Sequence, residues 1–323
     1  MDELDGLLTG ARARGGVFNL TILDRPWGLE IVDGAPLALA MMVRGSGWVL
    51  REGAEAVRMA QGDVVVLSGG RPYVVVDSLD TAPTLRIHPG GVCEPLPGAP
   101  VDYSARLGVR THGARPDGET ILVSGTYQMD CDVGRRLLSA LPATTVVPAV
   151  EVGEPVMRLV LDEIVRDRPA QQTVLDRWLD LALITTLRAW FDGRKAQAPG
   201  WYRGHSDPVV GAALRLIHDD PARGWRLSEL AKAVGVSRAS LTRRFTVLVG
   251  EPPMTYLTGW RLSLAADLLR DTDHTVGSIA EMVGYANAFA LSAAFKRVRG
   301  ISPTVHRRSA ASPDEYLISS NER

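Results

Sequence analysis

Cysteine and lysine are scarce in this chain of 323 residues, which has two cysteines, Cys93 and Cys131, and three lysines. Two cysteines cannot build a disulfide framework, so the sequence does not belong to the stapled secreted class and fits a reducing compartment. Long apolar runs are also missing. Charged residues make up 23% of the chain and interrupt every run short of the roughly 18 residues a spanning helix needs. The amino terminus opens MDELDGLL, acidic where a secretory leader is basic. Together these absences predict a cytoplasmic protein with no membrane partner. What remains is ample for folding: 46% of residues are apolar, enough for a buried core divided over two or three domains.

The net charge of -1 hides a polarity. Residues 201 to 308 hold 15 Lys and Arg against 9 Asp and Glu, or +6; the rest holds 36-15=21 against 37-9=28, or -7. A basic segment suits a polyanion, although a solvated helical surface carries as much.

Up to about residue 130 the pattern is β. Short runs at 37 to 43, 47 to 50, 56 to 59, 63 to 67, 73 to 76 and 120 to 125 are separated by Gly, Pro and Asp clusters, as in a sandwich or small barrel. The Pro- and Gly-rich stretch from Val76 to Thr120 reads as a long loop or lid. After Pro148 the period becomes helical. Val156, Leu159, Val160 and Ile164 share one face, and Thr173 with Asp176 resembles a capping box opening a helix that Gly193 closes. Their apolar faces can pack on the β region or pair with a second copy. Residues 194 to 206 read as a linker, and helix continues to about Arg308.

The C-terminal part repeats itself. Leu230-Ala231 and Val234-Gly235 recur 49 residues later as Ile279-Ala280 and Val283-Gly284. Alanine followed four residues on by glycine lets a short helix approach another closely and then turn left-handed, the geometry of a helix-turn-helix. Ser237 and Asn287 are placed to cap the next helix of each copy. Leu241 and Phe245 point inward in one and Leu291 and Phe295 in the other, displaced by 50. Gly250 with Pro253 and Gly300 with Pro303 close both copies alike. The segment 252 to 270 between them is long enough for a rigid helix that holds two recognition helices about one DNA turn, roughly 34 Å, apart.

On these residues, and on WRLSLAADLLR, IAEMVGY and FKRVRGISP as they stand, the stretch from about Asp207 to Arg308 resembles the DNA-binding domain of the AraC/XylS family of transcription regulators. The resemblance implies two helix-turn-helix units bridged by one helix, with both recognition helices in successive major grooves. It places Ser237, Arg238, Ser240, Thr242 and Arg243 at base edges and phosphates from the first helix, and Asn287, Ala288, Ser292 and Lys296 from the second. The second copy departs from the family pattern at Phe289, Ala293 and Arg299. Phe289 either touches a thymine methyl or fills the core, and core is the expectation adopted. Arg226 stands where a capping Ser or Thr is common, so Ser228 or a water is expected to cap that helix.

The opening segment with RPWGLEI, VRGSGWVL and MAQGDVVVLSGGRPYVVVD resembles the cupin-type domain attached to one AraC-like subgroup. That implies a small jelly-roll barrel able to hold an effector, for which Trp27, Trp48, Arg71 and Tyr73 are the candidate lining residues; a tryptophan in a strand is more often core. His88 and His112 lie 24 residues apart with no His-x-His pair, so no metal and no cofactor are expected. The expected fold is therefore α+β multidomain: an all-β cupin-like jelly-roll domain over 1–148, a helical linker or dimerisation segment over 149–200, an all-α domain with two helix-turn-helix motifs over 201–309, and a tail over 310–323. The expected function is a non-enzymatic, sequence-specific transcription regulator. Its expected partners are double-stranded promoter DNA, a small-molecule effector, a second copy of the chain and RNA polymerase. Three other readings stay open on the residues alone: a regulator switched by oxidation of Cys93 or Cys131, a cupin enzyme with a helical appendage, and a protein-interaction module that has lost DNA binding.

Overall fold

Consecutive apolar positions in LALAMM and VVVL suit strands buried on both faces, in distinction from strands with one buried face. The computed structural model, which describes residues 18–97, 103, 105–108, 110–127, 131–152, 154–194 and 198–311, follows that distinction. Two compact units form. A β unit takes the described residues up to 127 and from 137 to 194, and a helical unit takes 131–136 and 198–311.

The β unit has thirteen strands among the described residues: β1 (Phe18–Leu23), β2 (Gly28–Ile31), β3 (Leu37–Arg44), β4 (Gly47–Leu50), β5 (Val57–Met59), β6 (Val64–Ser68), β7 (Tyr73–Val76), β8 (Leu85–Ile87), β9 (Cys93–Pro95), β10 (Arg106–Gly108), β11 (Thr111–Gly113), β12 (Thr120–Tyr127) and β13 (Thr144–Val147). They make a seven-stranded sheet, β10-β11-β1-β12-β3-β6-β13, and a six-stranded sheet, β5-β4-β7-β2-β8-β9. Pairing is antiparallel except for β1 with β11 and β2 with β8. The six strands expected from the sequence all form. The stretch from Val76 to Thr120 is not a lid: it supplies β8 to β11, whose three-residue strands are too short for their period to show.

Between the sheets Leu23, Trp27, Leu29, Ala38, Met42, Val65, Val75 and Leu122 form the core. The alternate residues of the larger sheet face helices. After α1 (Asp132–Ala140) and α2 (Ala149–Val152), α3 (Glu154–Ile164) and α4 (Gln171–Gly193) bring Val160, Leu179 and Ala182 against Leu39, Met41 and Val123. The Tyr127 hydroxyl donates to the Leu179 carbonyl at 2.7 Å. The apolar face of α4 is thus spent on the β unit. Leu159, expected on the buried face of α3, is 42% exposed, while Val160 and Ile164 are buried; the side chain of Val156 lies outside the described residues. The start of α4 also differs from expectation. Ala170, at φ 62°, precedes the helix and Thr173 lies within its first turn. The buried Gln171 amide donates to the Glu163 carbonyl at 2.9 Å, so a bond back to the preceding helix sets the boundary rather than a local capping box.

The helical unit holds α5 (Gly200–His205), α6 (Pro208–Asp219), α7 (Leu227–Ala233), α8 (Arg238–Val249), α9 (Pro253–Asp271), α10 (Val276–Met282), α11 (Ala288–Arg299) and α12 (Pro303–Ala311). A short helix, α5, thus occupies part of the expected linker. Asp207 caps α6, accepting from the amides of Val209 and Val210 at 2.9 and 2.8 Å. Among the described residues no helix is long and apolar enough to cross a membrane.

Candidate nucleic-acid interface and barrel cavity

The repeat in the sequence is a repeat in space. At the first turn Gly235 sits at φ 72° and the Val236 amide donates to the Ala231 carbonyl at 3.0 Å. At the second, Gly284 sits at φ 82° and the Tyr285 amide donates to the Ala280 carbonyl at 2.7 Å. Both are six-to-one closures, with glycine in the left-handed region where a side chain is strained. Ser237 Oγ then accepts from the Ser240 amide at 3.2 Å, and Asn287 Oδ1 from the Ala290 amide at 2.9 Å. Gly250 at φ 99° and Gly300 at φ 76° end α8 and α11.

Each reading helix is clamped by one aliphatic and one aromatic side chain, Leu241 with Phe245 and Leu291 with Phe295, all fully buried. The rod between them is α9. Its Tyr256, Leu257 and Trp260 are buried in its first half, and its Leu262, Ala265, Ala266 and Leu269 join the core of the second copy. At about 1.5 Å per residue its 19 residues span roughly 28 Å. His218 of α6 bonds the Tyr256 hydroxyl at 2.8 Å and stacks on Trp260 at 4.3 Å.

What the clamps leave outside includes cations and small polar side chains. On α8 Ser237, Arg238 and Arg243 are exposed and Ser240 and Thr242 half-buried; on α11 Asn287 and Lys296 are exposed and Ala288 and Ser292 half-buried. Phe289, expected in the core, is instead 83% exposed, because Leu291 and Phe295 already fill the inward positions of that helix. At α7 the cap expectation also changes. Ser228 lies inside the helix, and the Glu229 carboxylate reaches back to the Arg226 amide at 3.3 Å.

Sequence reasoning missed an ionic cluster in the helical unit. The amides of Asp132 and Val133, at the start of α1, donate to the Asp267 carboxylate at 2.5 and 3.1 Å. The buried Asp132 carboxylate pairs with Arg135 and Arg299, and Arg270 lies 3.3 Å from Asp267. Arg136 lies over the Tyr256 and Trp260 rings at 5.3 and 5.8 Å. Burial pushes the Asp267 carboxyl up to about 6. The partners are about 135 residues apart in the chain, a separation that no local pattern signals.

In the β unit a cavity of about 240 Å³ opens between the sheets. Leu29, Ile31, Ala40, Val75 and Leu122 give it apolar walls, and Asn19, Thr21, Ser124 and Thr126 supply hydroxyl and amide groups from β1 and β12. Among the described lining residues Asp33 is the one carboxylate, and no lysine, arginine or histidine takes part. Asp33 accepts from the Ala35 amide at 3.0 Å. Tyr73 lines the cavity; burial, and then the Asp33 charge, push its phenol well above the ordinary range, so it is a neutral donor. Arg71 lines a separate surface depression beside Arg51. Trp27 is wholly buried in the core and Trp48 half-buried on β4; neither lines the cavity. His88 bonds Glu94 at 2.7 Å, and among the described residues no three His, Cys, Asp or Glu come together to hold a metal. Cys131 is buried, which pushes its thiol up, away from the low value an activated thiol needs.

A β unit with an internal cavity, followed by paired helix-turn-helix units whose reading helices face solvent, defines the class of DNA-binding proteins that carry an amino-terminal β domain. The comparisons agree. The cupin family description matches residues 2–192 and a helix-turn-helix domain description residues 230–309. A putative AraC-like transcription regulator of Streptomyces lividans is 31% identical over 318 residues, covering 97% of this chain and 100% of the relative. The HTH-type transcriptional regulator MtrA of Neisseria gonorrhoeae is 25% identical over 316 residues, covering 95% of this chain and 98% of the relative. Among solved structures, the DNA-binding domain of the global transcriptional factor AdpA in complex with a target DNA is 29% identical, covering 34% of this chain and 99% of that one, with a TM-score of 0.32. The chain belongs to the AraC-like transcription regulators, and its function is sequence-specific DNA-binding control of transcription.

Proposed function

We propose that this regulator reads a promoter by laying α8 and α11 into neighbouring major grooves, and that a small effector in the barrel cavity sets how tightly it does so. The matched exposure of the two reading helices at the ends of one rod is the observation that supports it. A span of roughly 28 Å along α9 is close to the ~34 Å repeat of the duplex. In this reading Arg238 and Arg243 grip guanine or phosphate, and Ser237, Ser240 and Thr242 make tolerant contacts. Asn287, Ala288, Ser292 and Lys296 meet the second half-site. We extend the reading to a homodimer that works in the cytoplasm, catalyses no reaction and presents the promoter to RNA polymerase; full-length similarity to transcription regulators supports that extension. Selection of bound fragments from a genomic DNA pool tests it. One enriched sequence, bound with an affinity that falls steeply with salt, is expected; no enrichment overturns it.

The cavity's chemistry narrows the effector. Apolar walls, neutral donors and one carboxylate, with no cation among the described lining residues, suit a small neutral or amine-bearing amphiphile and disfavour an organic acid. A ligand can shift DNA affinity only if it binds the two states of the protein unequally. Ser124→Leu fills the cavity from β12. The expected result is a variant that still binds its operator but no longer responds to amphiphiles that change wild-type affinity; an unaltered response places the effector elsewhere.

A further inference from the structure

The two reading helices correspond at a displacement of 50 residues, yet their outer faces differ in chemistry. The first seven residues of α8 carry Arg238, Arg243 and Arg244, all exposed. The corresponding positions of α11 are Ala288, Ala293 and Ala294, and its cations, Lys296, Arg297 and Arg299, all fall in the last turn. Where α8 has Ala239, α11 has Phe289.

Phe289 is the second residue of α11, in the part of a recognition helix that meets base edges. Ser292, Ala293 and Lys296 follow it at three, four and seven residues, so they share one stripe, opposite the buried Leu291 and Phe295. Polar groups are few there. The Asn287 carbonyl oxygen is taken by the Ala290 amide, and Ala288, Ala290 and Ala293 offer nothing beyond a methyl group. The largest group that this end of α11 presents is an aromatic ring standing in water.

We infer that Phe289 is a specificity-determining residue that reads thymine by packing on its 5-methyl group, so that the operator half under α11 is selected for thymine while the half under α8 is selected for guanine. Of the four bases only thymine presents an apolar group in the major groove. A phenyl ring makes no directional hydrogen bond, so that methyl group is the one base feature it can tell apart. The inference rests on the DNA-binding function and adds the base class that the second head reads.

The test uses the full-length protein and an operator from the genomic selection. Each thymine of the α11 half is replaced in turn by deoxyuridine, which keeps pairing and removes only the methyl group. Wild type is expected to lose about fourfold in affinity at one or two positions, the effect of unburying one methyl-sized group. Phe289→Ala is expected to bind the thymine operator with a similar loss and to be indifferent to deoxyuridine, whereas Arg243→Ala, weakened at the other half, keeps the wild-type sensitivity. Phe289→Leu, still apolar, is expected to retain part of it. Wild-type binding unchanged by deoxyuridine at every position, or Phe289→Ala binding like wild type, overturns the inference; the second result would assign the exposed ring to a protein partner. Loss of all binding by Phe289→Ala with intact helical circular dichroism would also overturn it, since one methyl contact cannot account for so much.

Discussion

The two turn glycines look interchangeable in the sequence, but their surroundings make opposite demands. A methyl group added at Gly235 meets nothing within 4 Å, so Gly235→Ala suffers only the strain of an L-residue at φ 72°. That strain is about 1 to 2 kcal/mol. A methyl group added at Gly284, at φ 82°, lies 2.5 Å from the Ala222 carbonyl oxygen and 2.9 Å from its carbon. The 221–223 segment cannot easily retreat, because Arg261 donates to the Pro221 and Arg223 carbonyls, both at 2.7 Å. Overpacking against fixed backbone adds about 1 to 3 kcal/mol. Gly284→Ala is thus expected to destabilise the helical unit by about 2 kcal/mol more than Gly235→Ala, or roughly 30-fold in hydrogen-exchange protection of α10 and α11 amides. Equal losses of protection in the two variants would refute the reasoning.

Arg238→Ala and Arg243→Ala, made singly, are each expected to weaken operator binding by about 1 to 3 kcal/mol while circular dichroism stays unchanged; gel-shift affinities equal to wild type for both would remove α8 from the interface. Asp267 supplies a pH test. Its carboxyl stands at about 6 through burial, above its unfolded value. Stability from this group is therefore fully present below about pH 4 and lost as pH rises through about 6, by at most roughly 3 kcal/mol. Asp267→Asn keeps one of the two oxygens that accept from the Asp132 and Val133 amides, removes the titration and is expected to flatten urea stability between those values; an undiminished slope in the variant would exclude Asp267 as its source. Phe295→Ala, which empties a fully buried site, is expected to destabilise the helical unit by about 3 to 5 kcal/mol in urea unfolding. A cost below about 1 kcal/mol would show that Phe295 does not clamp α11.

Features that depend on neighbours in the chain were legible. The glycine at each turn, the Ser237 and Asn287 caps and the Leu-Phe pairs of α8 and α11 all act over five residues or fewer. The same holds for the runs that became β3, β4, β5, β6, β7 and β12, which Gly, Pro and Asp clusters set apart in the chain. The strands of three residues between 85 and 113 left no such trace. Nor could the start of α4 be read locally, because it depends on Gln171 bonding back to Glu163.

The sequence by itself determined the kind of protein: a β region followed by two matched, capped and glycine-turned helix pairs, each written in short-range residue chemistry. Tertiary structure decided where the side chains with two open placements went. Phe289 is outside because Leu291 and Phe295 had taken the inner positions, and Trp27 left the cavity to Tyr73 because the sheets closed over it. Asp132 and Asp267 became partners because folding brought together groups whose separation along the chain exceeds the reach of any local signal.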